Sequence, residues 1–463
     1  MLCAAALDPP PPVEGPERMR VAPKVFAAAM LGVLSLVAAA CGGARPAAPS
    51  AATTEFMNPI MNSGADPWAV YSGGRYYLTV TTGSNVTIWS SPDLTDIAQG
   101  QSTVAWTPPA GFTAIWSPEL HHIGNRWYIY VAADQHGDNA THRMYVLESD
   151  TNNPMVGYTF VGQITSPDNH WAIDGTVLTL DGKLYFIWSG WAQSVSGPQN
   201  LYIAPMSSPT QISGQRVLIS RPTYLWETSV SPINEGPVTL QHDSRVFIVY
   251  SANASWTNKY CLGLLTLTGG NPLQASSWVK SPEPVFQSSG TVYGPGHASF
   301  TVSPNGTQDW IVYHAAKYSR AGWTRDVRIQ PFTWTKAGLP DFGTPLATST
   351  LLRVPAGQAP YDRLVQGTAG PQTYSFSVSP PTLGIYRLWI RYTNPGLAGN
   401  ASITVDGQPA TTVGLADTKA QTSYQFAVAS LTLGTGRSQI AIDTSTLPFA
   451  SIDGVWISLQ PVA

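Results

Sequence analysis

The sequence contains few charged residues and very few cysteines for its length. Only 11% of its 463 residues are Asp, Glu, Lys or Arg, and the formal net charge is −3. This balance argues against a basic surface for nucleic acid and against a strong field that steers ions. The three cysteines show no paired spacing, so we expect neither a disulfide framework nor a zinc site. The length is sufficient for two or three domains.

No long amphipathic helical pattern is visible, and one apolar run stands out at residues 25–40. The run is short for a membrane span, basic residues precede it, and small residues end it. This order predicts a secretory signal leader over residues 1–41. Two forms of processing remain open. The small residues followed by Cys41 resemble a bacterial lipobox, which favours a lipoprotein, and ordinary cleavage near Ala40 is the alternative.

The leader predicts a secreted protein. Lipidation of Cys41 would anchor it to the outer face of a bacterial cell membrane, and the sequence indicates no other membrane contact. Residues 42–55 are rich in Ala, Pro, Ser and Thr and have little to bury, so they are predicted to be a flexible linker.

Five segments share a composition rich in aromatic and β-branched residues, and each ends on small residues, as buried strands do. They are residues 75–82, 126–133, 183–190, 245–252 and 309–316. A shorter predicted strand precedes each segment and begins at a polar residue. These polar residues are Asp66, Glu119, Asp174, Glu235 and His297, at separations of 53, 55, 61 and 62 residues. Four-stranded units at so regular a period predict a five-bladed β-propeller over residues 56–355.

The first strand of each propeller blade lines the central channel, so the five polar residues are expected to converge at one end of it. Glu235 lies in Ser-Pro-Ile-Asn-Glu-Gly-Pro-Val, where Gly and Pro bound a tight turn before a strand. A catalytic acid needs a fixed direction, partial desolvation and a raised pKa, and this position provides them. The alternative is five unrelated turn residues, and their common place in each repeat argues against it.

Residues 360–463 have a different pattern, in which apolar and polar residues alternate with period two, as in residues 386–392. Short strands separated by Gly, Asn and Pro turns predict an all-β second domain, a jelly-roll-like β-sandwich. Two roles remain open for it. Either an aromatic side chain at a loop end binds polysaccharide and raises the local substrate concentration, or the sandwich packs on the propeller and stabilises it.

Five short motifs of the first domain resemble glycoside hydrolase family 43, especially its α-L-arabinofuranosidase branch. One motif falls in each predicted blade. The motifs are Gly64-Ala65-Asp66-Pro67-Trp68, Trp116-Ser117-Pro118-Glu119-Leu120, Ala172-Ile173-Asp174-Gly175, Asn234-Glu235-Gly236-Pro237 and Tyr293-Gly294-Pro295-Gly296-His297. The family fold is a five-bladed propeller, in agreement with the repeat count. The second domain resembles the carbohydrate-binding modules that are often appended to such enzymes.

The resemblance implies a role for each motif residue. Asp66 would be the general base, Glu235 the general acid, and Asp174 the carboxylate that positions the acid and tunes its pKa. His297 would help to hold a single metal ion, usually calcium, in the channel, and no organic cofactor is implied. Arg325 occupies the place of an arginine near the acid and the bound sugar.

The chemistry of inversion suits such a set. It needs one protonated and one ionised carboxyl group roughly 6.5–9.5 Å apart, with a water molecule between. A further carboxylate beside the acid raises its pKa by like-charge repulsion. Carboxylates on different blades around a channel can satisfy both conditions.

Several side chains near the predicted acids are candidates for substrate contact, and for each of them packing within the channel wall is the alternative. Glu119 is the polar candidate, and the candidate sugar platforms are Trp68, Trp116, Trp171 and Trp191.

We therefore predict an inverting, exo-acting hydrolase that releases terminal α-L-arabinofuranosyl residues from arabinan or arabinoxylan-type polysaccharides or oligosaccharides of the plant cell wall. Two alternatives remain: a family relative that acts on β-xylosides or galactans, and a non-catalytic sugar-binding propeller. Three carboxylates on one axis argue against the latter, because a binding module does not need them.

Overall fold

The computed structural model describes residues 55–457 except 359–362, 366–367, 370–371, 381 and 422. The predicted leader and all but the last residue of the predicted linker lie outside these residues, including Cys41. Glu55, assigned to the linker from sequence, begins the first strand, β1 (Glu55–Phe56). No helix in the described part of the chain is long and apolar enough to cross a membrane.

Residues 68–341 form five antiparallel sheets in chain order, each with its first strand innermost. Blade 1 contains β2 (Trp68–Ser72), β3 (Arg75–Thr79), β4 (Val86–Ser91) and β5 (Gln101–Trp106). Blade 2 contains β6 (Phe112–Ile123), β7 (Arg126–Gln135), β8 (Asp138–Ser149) and β9 (Tyr158–Ile164). Blade 3 contains β10 (Ala172–Leu180), β11 (Lys183–Gly190), β12 (Asn200–Ser208), β13 (Gln211–Ile212) and β14 (Val217–Ser220).

The last two blades have the same antiparallel order. Blade 4 contains β15 (Asn234–His242), β16 (Arg245–Ala252), β17 (Cys261–Leu267), β18 (Trp278–Lys280) and β19 (Phe286–Gln287). Blade 5 contains β20 (Tyr293–Val302), β21 (Asp309–Ala316), β22 (Arg325–Trp334) and β23 (Pro340–Asp341). The described helical segments are short: Leu94–Gln99, Leu225–Thr228 and Ala275–Ser277. The five aromatic segments found in the sequence are the second strands of the blades.

The inner strands form a closed ring. β2 contacts β6, β6 contacts β10, β10 contacts β15, β15 contacts β20, and β20 contacts β2 again. The two ends of the propeller also meet, because β1 pairs with β24 (Leu352–Arg353). The segment that follows β1 runs beside blade 5, where Met61 forms a bridge with Val327 and the Asn58 side chain bonds the backbone of Ile329. Apolar clusters fill the space between neighbouring blades.

The second domain consists of two packed sheets. Its strands are β25 (Arg363–Val365), β26 (Thr368–Ala369), β27 (Thr373–Val378), β28 (Gly384–Thr393), β29 (Gly399–Val405), β30 (Gln408–Leu415), β31 (Gln425–Leu433), β32 (Ser438–Asp443) and β33 (Ser451–Ile457). One sheet has the order β25-β33-β28-β31, and the other has the order β26-β27-β32-β29-β30. One apolar cluster fills the space between them. The structure thus confirms a five-bladed propeller followed by a β-sandwich.

Candidate active site

One backbone feature recurs at the same end of the channel in every blade. The residues that carry it are Asp66, Ser117, Asp174, Gly236 and His297, with φ between 45° and 55°. Non-glycine residues rarely adopt this left-handed conformation. In blades 2 to 5 the pairing register shifts at this point, as in a β-bulge that re-aims a side chain. The alignment of the repeats from sequence was therefore wrong in two blades: Glu119 lies two residues after the equivalent position, and Glu235 lies one residue before it.

Three of these residues donate a hydrogen bond from the backbone N–H to a side chain of the preceding blade in the ring. The acceptors are Thr81 Oγ1 for Ser117 at 2.7 Å, Ser251 Oγ for His297 at 2.7 Å, and His314 Nδ1 for Asp66 at 3.0 Å. All three acceptors lie in, or just beyond, the second strand of their blade. The short polar residues near the ends of these strands thus set the positions of the site residues in the next blade.

His297 lies at the centre of the site, and its ring makes polar contacts with residues of three other blades. Its Nε2 is 2.8 Å from Ser117 Oγ, and its Nδ1 is 3.2 Å from Asp66 Oδ1 and 4.0 Å from Asp174 Oδ2. Burial lowers the pKa of His297, so the ring is neutral at neutral pH. These partners assign the ring proton to Nδ1, facing Asp66, while Nε2 accepts from the serine hydroxyl. A Cβ at Gly236 would lie only 3.0 Å from Nδ1, and φ there is 52°, so both the space beside the ring and the backbone conformation favour glycine.

Asp66 lies just before β2, among groups that stabilise its ionised form. The Thr81 hydroxyl donates to Oδ2 over 2.6 Å, and Arg325 Nη1 lies 3.7 Å from Oδ1. Burial acts to raise the pKa of Asp66, but His297, His314 and Arg325 together hold this pKa well below its usual range. Because burial lowers the pKa of His314 to about 3, the permanent positive charge comes from Arg325. Asp66 is therefore ionised at neutral pH, as a general base must be.

Glu235 has the opposite environment. It is the second residue of β15 rather than a turn residue, and the Tyr260 hydroxyl donates to its Oε1 over 2.8 Å. Burial is the largest influence and Asp66 adds to it, while Tyr260 and Arg325 act against both; the result raises the pKa of Glu235 to about 7. At this pKa the carboxyl group is available as a proton donor near neutral pH.

Asp174 is coupled to Glu235 through the backbone. Its Oδ2 accepts the N–H of Gly236, the residue after Glu235, at 3.0 Å. Burial, followed by the charges of Glu235 and Asp66, raises the pKa of Asp174 well above its usual range. Buried carboxyl groups coupled in this way titrate as a pair. Glu235 thus acts on the pKa of Asp174, whereas Asp66 is the carboxylate that raises the pKa of Glu235. Tuning of the acid by Asp174 stays a prediction from the resemblance, and the hydrogen bond to Gly236 shows that Asp174 holds the strand that carries Glu235.

Glu119 lies further along its strand and is only 4% exposed. Its Oε2 is 2.8 Å from Nε2 of His121. Burial raises the pKa of Glu119 well above its usual range and lowers the pKa of His121 to about 3, so burial disfavours the charged form of both partners. The structure thus places Glu119 within the channel wall, which favours the packing alternative over substrate contact.

The predicted tryptophan platforms have different surroundings. Trp116 is partly exposed, precedes Ser117 and stacks on His142 at 4.1 Å between ring centroids. Trp68 packs on His121, and its indole N–H donates to the backbone of Leu120.

Trp171 does not fit the platform role. It is only 3% exposed, Trp191 covers one of its faces at 4.6 Å, and its N–H donates to Asn139 O. Trp191 is itself buried. Neither indole therefore offers a free face to a sugar in this arrangement. Trp68 and Trp116, which are both partly exposed, stay the candidate platforms of the predicted set.

Sequence reasoning missed Tyr260, Ser117, Thr81 and His314. Tyr260 follows no repeat motif, and its only signal is the glycine at position 296. A Cβ there would lie 2.3 Å from the Tyr260 ring, so the Gly-Pro-Gly-His motif makes room for this tyrosine. The signal for Ser117 was the Ser-Pro pair at the place where blade 1 has Asp66-Pro67.

The residues around His297 do not fit a protein-held metal ion. The Ser117 hydroxyl occupies the lone pair of Nε2, and Nδ1 faces Asp66, so neither ring nitrogen is free for a cation. Calcium prefers six to eight oxygen ligands. Among the described residues there is no cluster of three or more His, Cys, Asp or Glu side chains with the geometry for a metal. Calcium stays a prediction from the resemblance, and no catalytic step is assigned to it.

A propeller that holds one carboxyl group of raised pKa and one of lowered pKa at the same end of its axis is the arrangement of a glycoside hydrolase acting on O-glycosyl bonds. The chain belongs to glycosyl hydrolases family 43, whose family model matches residues 56–340.

Individual relatives agree with the family assignment. A protein from Streptomyces avermitilis, described as an extracellular exo-α-(1→5)-L-arabinofuranosidase, is 38% identical over 320 residues. The match spans 66% of either chain, just under two thirds. An α-L-arabinofuranosidase from Humicola insolens is 33% identical over 82% of this chain and 81% of its own. The crystal structure of an α-L-arabinofuranosidase from Lactobacillus brevis has a TM-score of 0.60 and 36% identity, covering 63% of this chain and 97% of that one.

Proposed function

We propose that the protein is an inverting, exo-acting α-L-arabinofuranosidase that releases terminal α-L-arabinofuranosyl residues from arabinan or arabinoxylan-type plant polysaccharides. The observation that carries the reaction type is the pair Asp66 and Glu235, whose surroundings move their pKa values in opposite directions. The sugar is inferred from relatives that are described as arabinofuranosidases and are 33–38% identical to this chain.

In the proposed reaction a water molecule attacks the anomeric carbon while ionised Asp66 accepts its proton. The bond from the anomeric carbon to the leaving oxygen breaks, and Glu235 transfers its proton to that oxygen. The released sugar carries the opposite anomeric configuration, because attack and departure occur on opposite faces. Arg325 keeps Asp66 ionised, and Asp174 holds the backbone next to Glu235.

Hydrolysis of 4-nitrophenyl α-L-arabinofuranoside and of 4-nitrophenyl β-D-xylopyranoside tests the choice of sugar. We expect the arabinofuranoside to be the better substrate by at least about 100-fold in kcat/KM, and proton NMR of the fresh product to show the β-anomer first. Preference for the xyloside or for galactan would support the alternative within the family. Asp66→Asn should abolish turnover, whereas Asp181→Asn, in the turn between β10 and β11, should leave it unchanged.

We also propose that the protein is secreted, because the Streptomyces avermitilis relative is described as extracellular. Lipid attachment at Cys41 is the finer part of this proposal. Expression of the full chain in a bacterial host, followed by mass spectrometry of the mature N-terminus, tests it. A diacylglyceryl-modified Cys41 is the expected result, and an unmodified N-terminus near Ala40 would contradict the anchor.

For the sandwich, the packing role has the stronger structural support. The Asn62 side chain donates to Phe426 O over 2.6 Å and accepts the Phe426 N–H over 2.8 Å. Its amide group thus makes the same two hydrogen bonds with β31 that a neighbouring strand makes. The buried Arg391 guanidinium pairs with Asp453 at 2.7 Å and donates to Thr348 O. The Asp453 pair lies within the sandwich, whereas the bonds to Asn62 and Thr348 join the sandwich to segments at both ends of the propeller.

The aromatic side chains of the sandwich support the same role. Trp389, Phe426 and Trp456 line a small cavity together with propeller residues from 56 to 62 and from 95 to 99. Among the described residues of the sandwich, Phe449 is the aromatic side chain with more than half of its surface exposed. We therefore propose that the sandwich stabilises the ring closure of the propeller. Carbohydrate binding by the sandwich remains a prediction from the sequence, to be tested by retardation on gels that contain arabinan or arabinoxylan.

A further inference from the structure

Two tryptophans outside the set predicted from sequence are exposed near the catalytic residues. Trp256 is 41% exposed and Trp323 is 69% exposed, and their ring centroids lie 5.7 Å apart with an angle of 62° between the planes. Exposing two indoles side by side leaves a large apolar area in water, which a monomeric protein rarely does without a binding function.

The two rings lie at the catalytic end of the channel. Trp256 is in the loop after β16, and Trp323 is in the loop after β21. The last residues of these strands, Ala252 and Ala316, pair with the first residues of the inner strands, Asn234 and Tyr293. Both loops therefore emerge next to the strand ends that carry Glu235 and His297.

Hydrogen bonds brace the two loops against each other. Asn258 donates to Ser319 Oγ over 2.7 Å and accepts the Arg320 N–H over 3.0 Å. Arg325, which lies beside Asp66, donates to Ser255 O over 2.9 Å, and the Trp323 indole N–H lies 3.5 Å from Ser255 Oγ. The aromatic pair is thus connected to Arg325 through one serine and is held before substrate arrives, which limits the entropy lost on binding.

We propose that Trp323, supported by Trp256, is a stacking platform for the sugar residues of the polysaccharide beyond the scissile bond. The proposal rests on the proposed function, in which the terminal sugar binds beside the carboxyl groups of Asp66 and Glu235. The remainder of the chain must then leave across the rim. An exposed indole face matches the apolar face of a sugar ring. At 62° the two rings cannot both lie flat on one sugar, and Trp323 is the more exposed of the two.

The test compares wild-type enzyme, Trp323→Ala, Trp323→Phe and Trp256→Ala on arabinotriose, with free arabinose as a competitive inhibitor. Arabinose occupies only the terminal-sugar pocket, so its inhibition constant reports that pocket alone. We expect Trp323→Ala to raise KM for arabinotriose about tenfold and Trp256→Ala to raise it less, with little change in the arabinose inhibition constant. Trp323→Phe should recover part of the loss. Phe449→Ala, an exposed aromatic residue on the sandwich, is the matched control.

Two outcomes would overturn the platform. A KM for arabinotriose within twofold of wild type would show that the indole does not contact the chain. Equal increases in KM and in the arabinose inhibition constant would show that the substitution only disturbs the pocket. If the wild-type enzyme cleaves xylosides instead, the arabinofuranosidase assignment is wrong, and the same comparison is made with xylotriose and xylose. The effect of Trp323→Ala on KM then still tests the stacking platform by itself.

Discussion

Tyr260 donates a hydrogen bond to Oε1 of Glu235 over 2.8 Å. Its ring also lies parallel to that of His314, with 5.6 Å between centroids, and His314 in turn accepts the backbone N–H of Asp66. One tyrosine therefore connects the surroundings of the predicted acid with those of the predicted base. Its hydrogen bond lowers the pKa of Glu235 against the larger effect of burial.

The pH profile tests this relationship. The pKa of Glu235 is about 7 and that of Asp66 is far below, so kcat/KM should be level in mild acid and fall tenfold per pH unit above about 7. Tyr260→Phe removes an interaction that lowers the Glu235 pKa, so the basic limb should move to higher pH. Tyr250→Phe, which removes a buried hydroxyl bonded to Glu227, is the control and should leave the limb in place. If the fall of kcat/KM at high pH stays at the same pH in Tyr260→Phe, or moves to lower pH, Glu235 is not the titrating acid.

Leaving-group dependence separates the acid from the base. Glu235→Ala should lower kcat/KM by roughly 10²–10⁴-fold on arabino-oligosaccharides, because the departing sugar oxygen needs a proton. On a dinitrophenyl arabinofuranoside, whose leaving group departs without protonation, we expect a loss below about tenfold. Asp66→Ala should be inactive on both substrates, since each needs an activated water. Near-normal turnover of Asp66→Ala on the activated substrate would show that another group is the base.

Chelation decides between the calcium prediction and the contacts of His297. Because both ring nitrogens already face protein partners, we expect excess EDTA to change neither the melting temperature nor kcat. The measurement is differential scanning fluorimetry and initial rates before and after dialysis against EDTA, with magnesium and calcium added back separately. A fall that calcium alone restores would establish the ion, and would mean that the bond between Ser117 and His297 gives way to it.

The interface between propeller and sandwich should contribute to stability. Asn62→Ala removes two partly buried hydrogen bonds to the backbone of β31, at a cost of about 1–3 kcal/mol in the free energy of unfolding. We expect a lower melting temperature with kcat/KM on an aryl glycoside retained at 25 °C. Asn400→Ala, an exposed residue of the sandwich, is the matched control. An unchanged melting temperature in Asn62→Ala would remove the proposed role in ring closure.

Much of the architecture was determined by the sequence alone. The five second strands of the blades were visible because buried strands are rich in aromatic and β-branched residues and end on small ones. Their period was sufficient to predict a propeller, and hence the convergence of Asp66, Asp174, Glu235 and His297, since only the first strand of a blade can line the axis. Local composition and spacing carry this information, and no contact between distant residues is needed to read it.

The tertiary structure decided which neighbours each of these residues has. The left-handed backbone position of blade 2 belongs to Ser117 rather than Glu119, because the bulge is set by pairing with the next strand. Trp171 has no free face for a sugar because Trp191, which follows β11, stacks on it. Glu235 accepts its hydrogen bond from Tyr260, which lies in the loop after the next strand. A pKa depends on burial and on charges that neighbouring blades bring within a few ångströms. Those distances exist only once the ring has closed, so the opposite pKa shifts of Asp66 and Glu235 are a property of the fold.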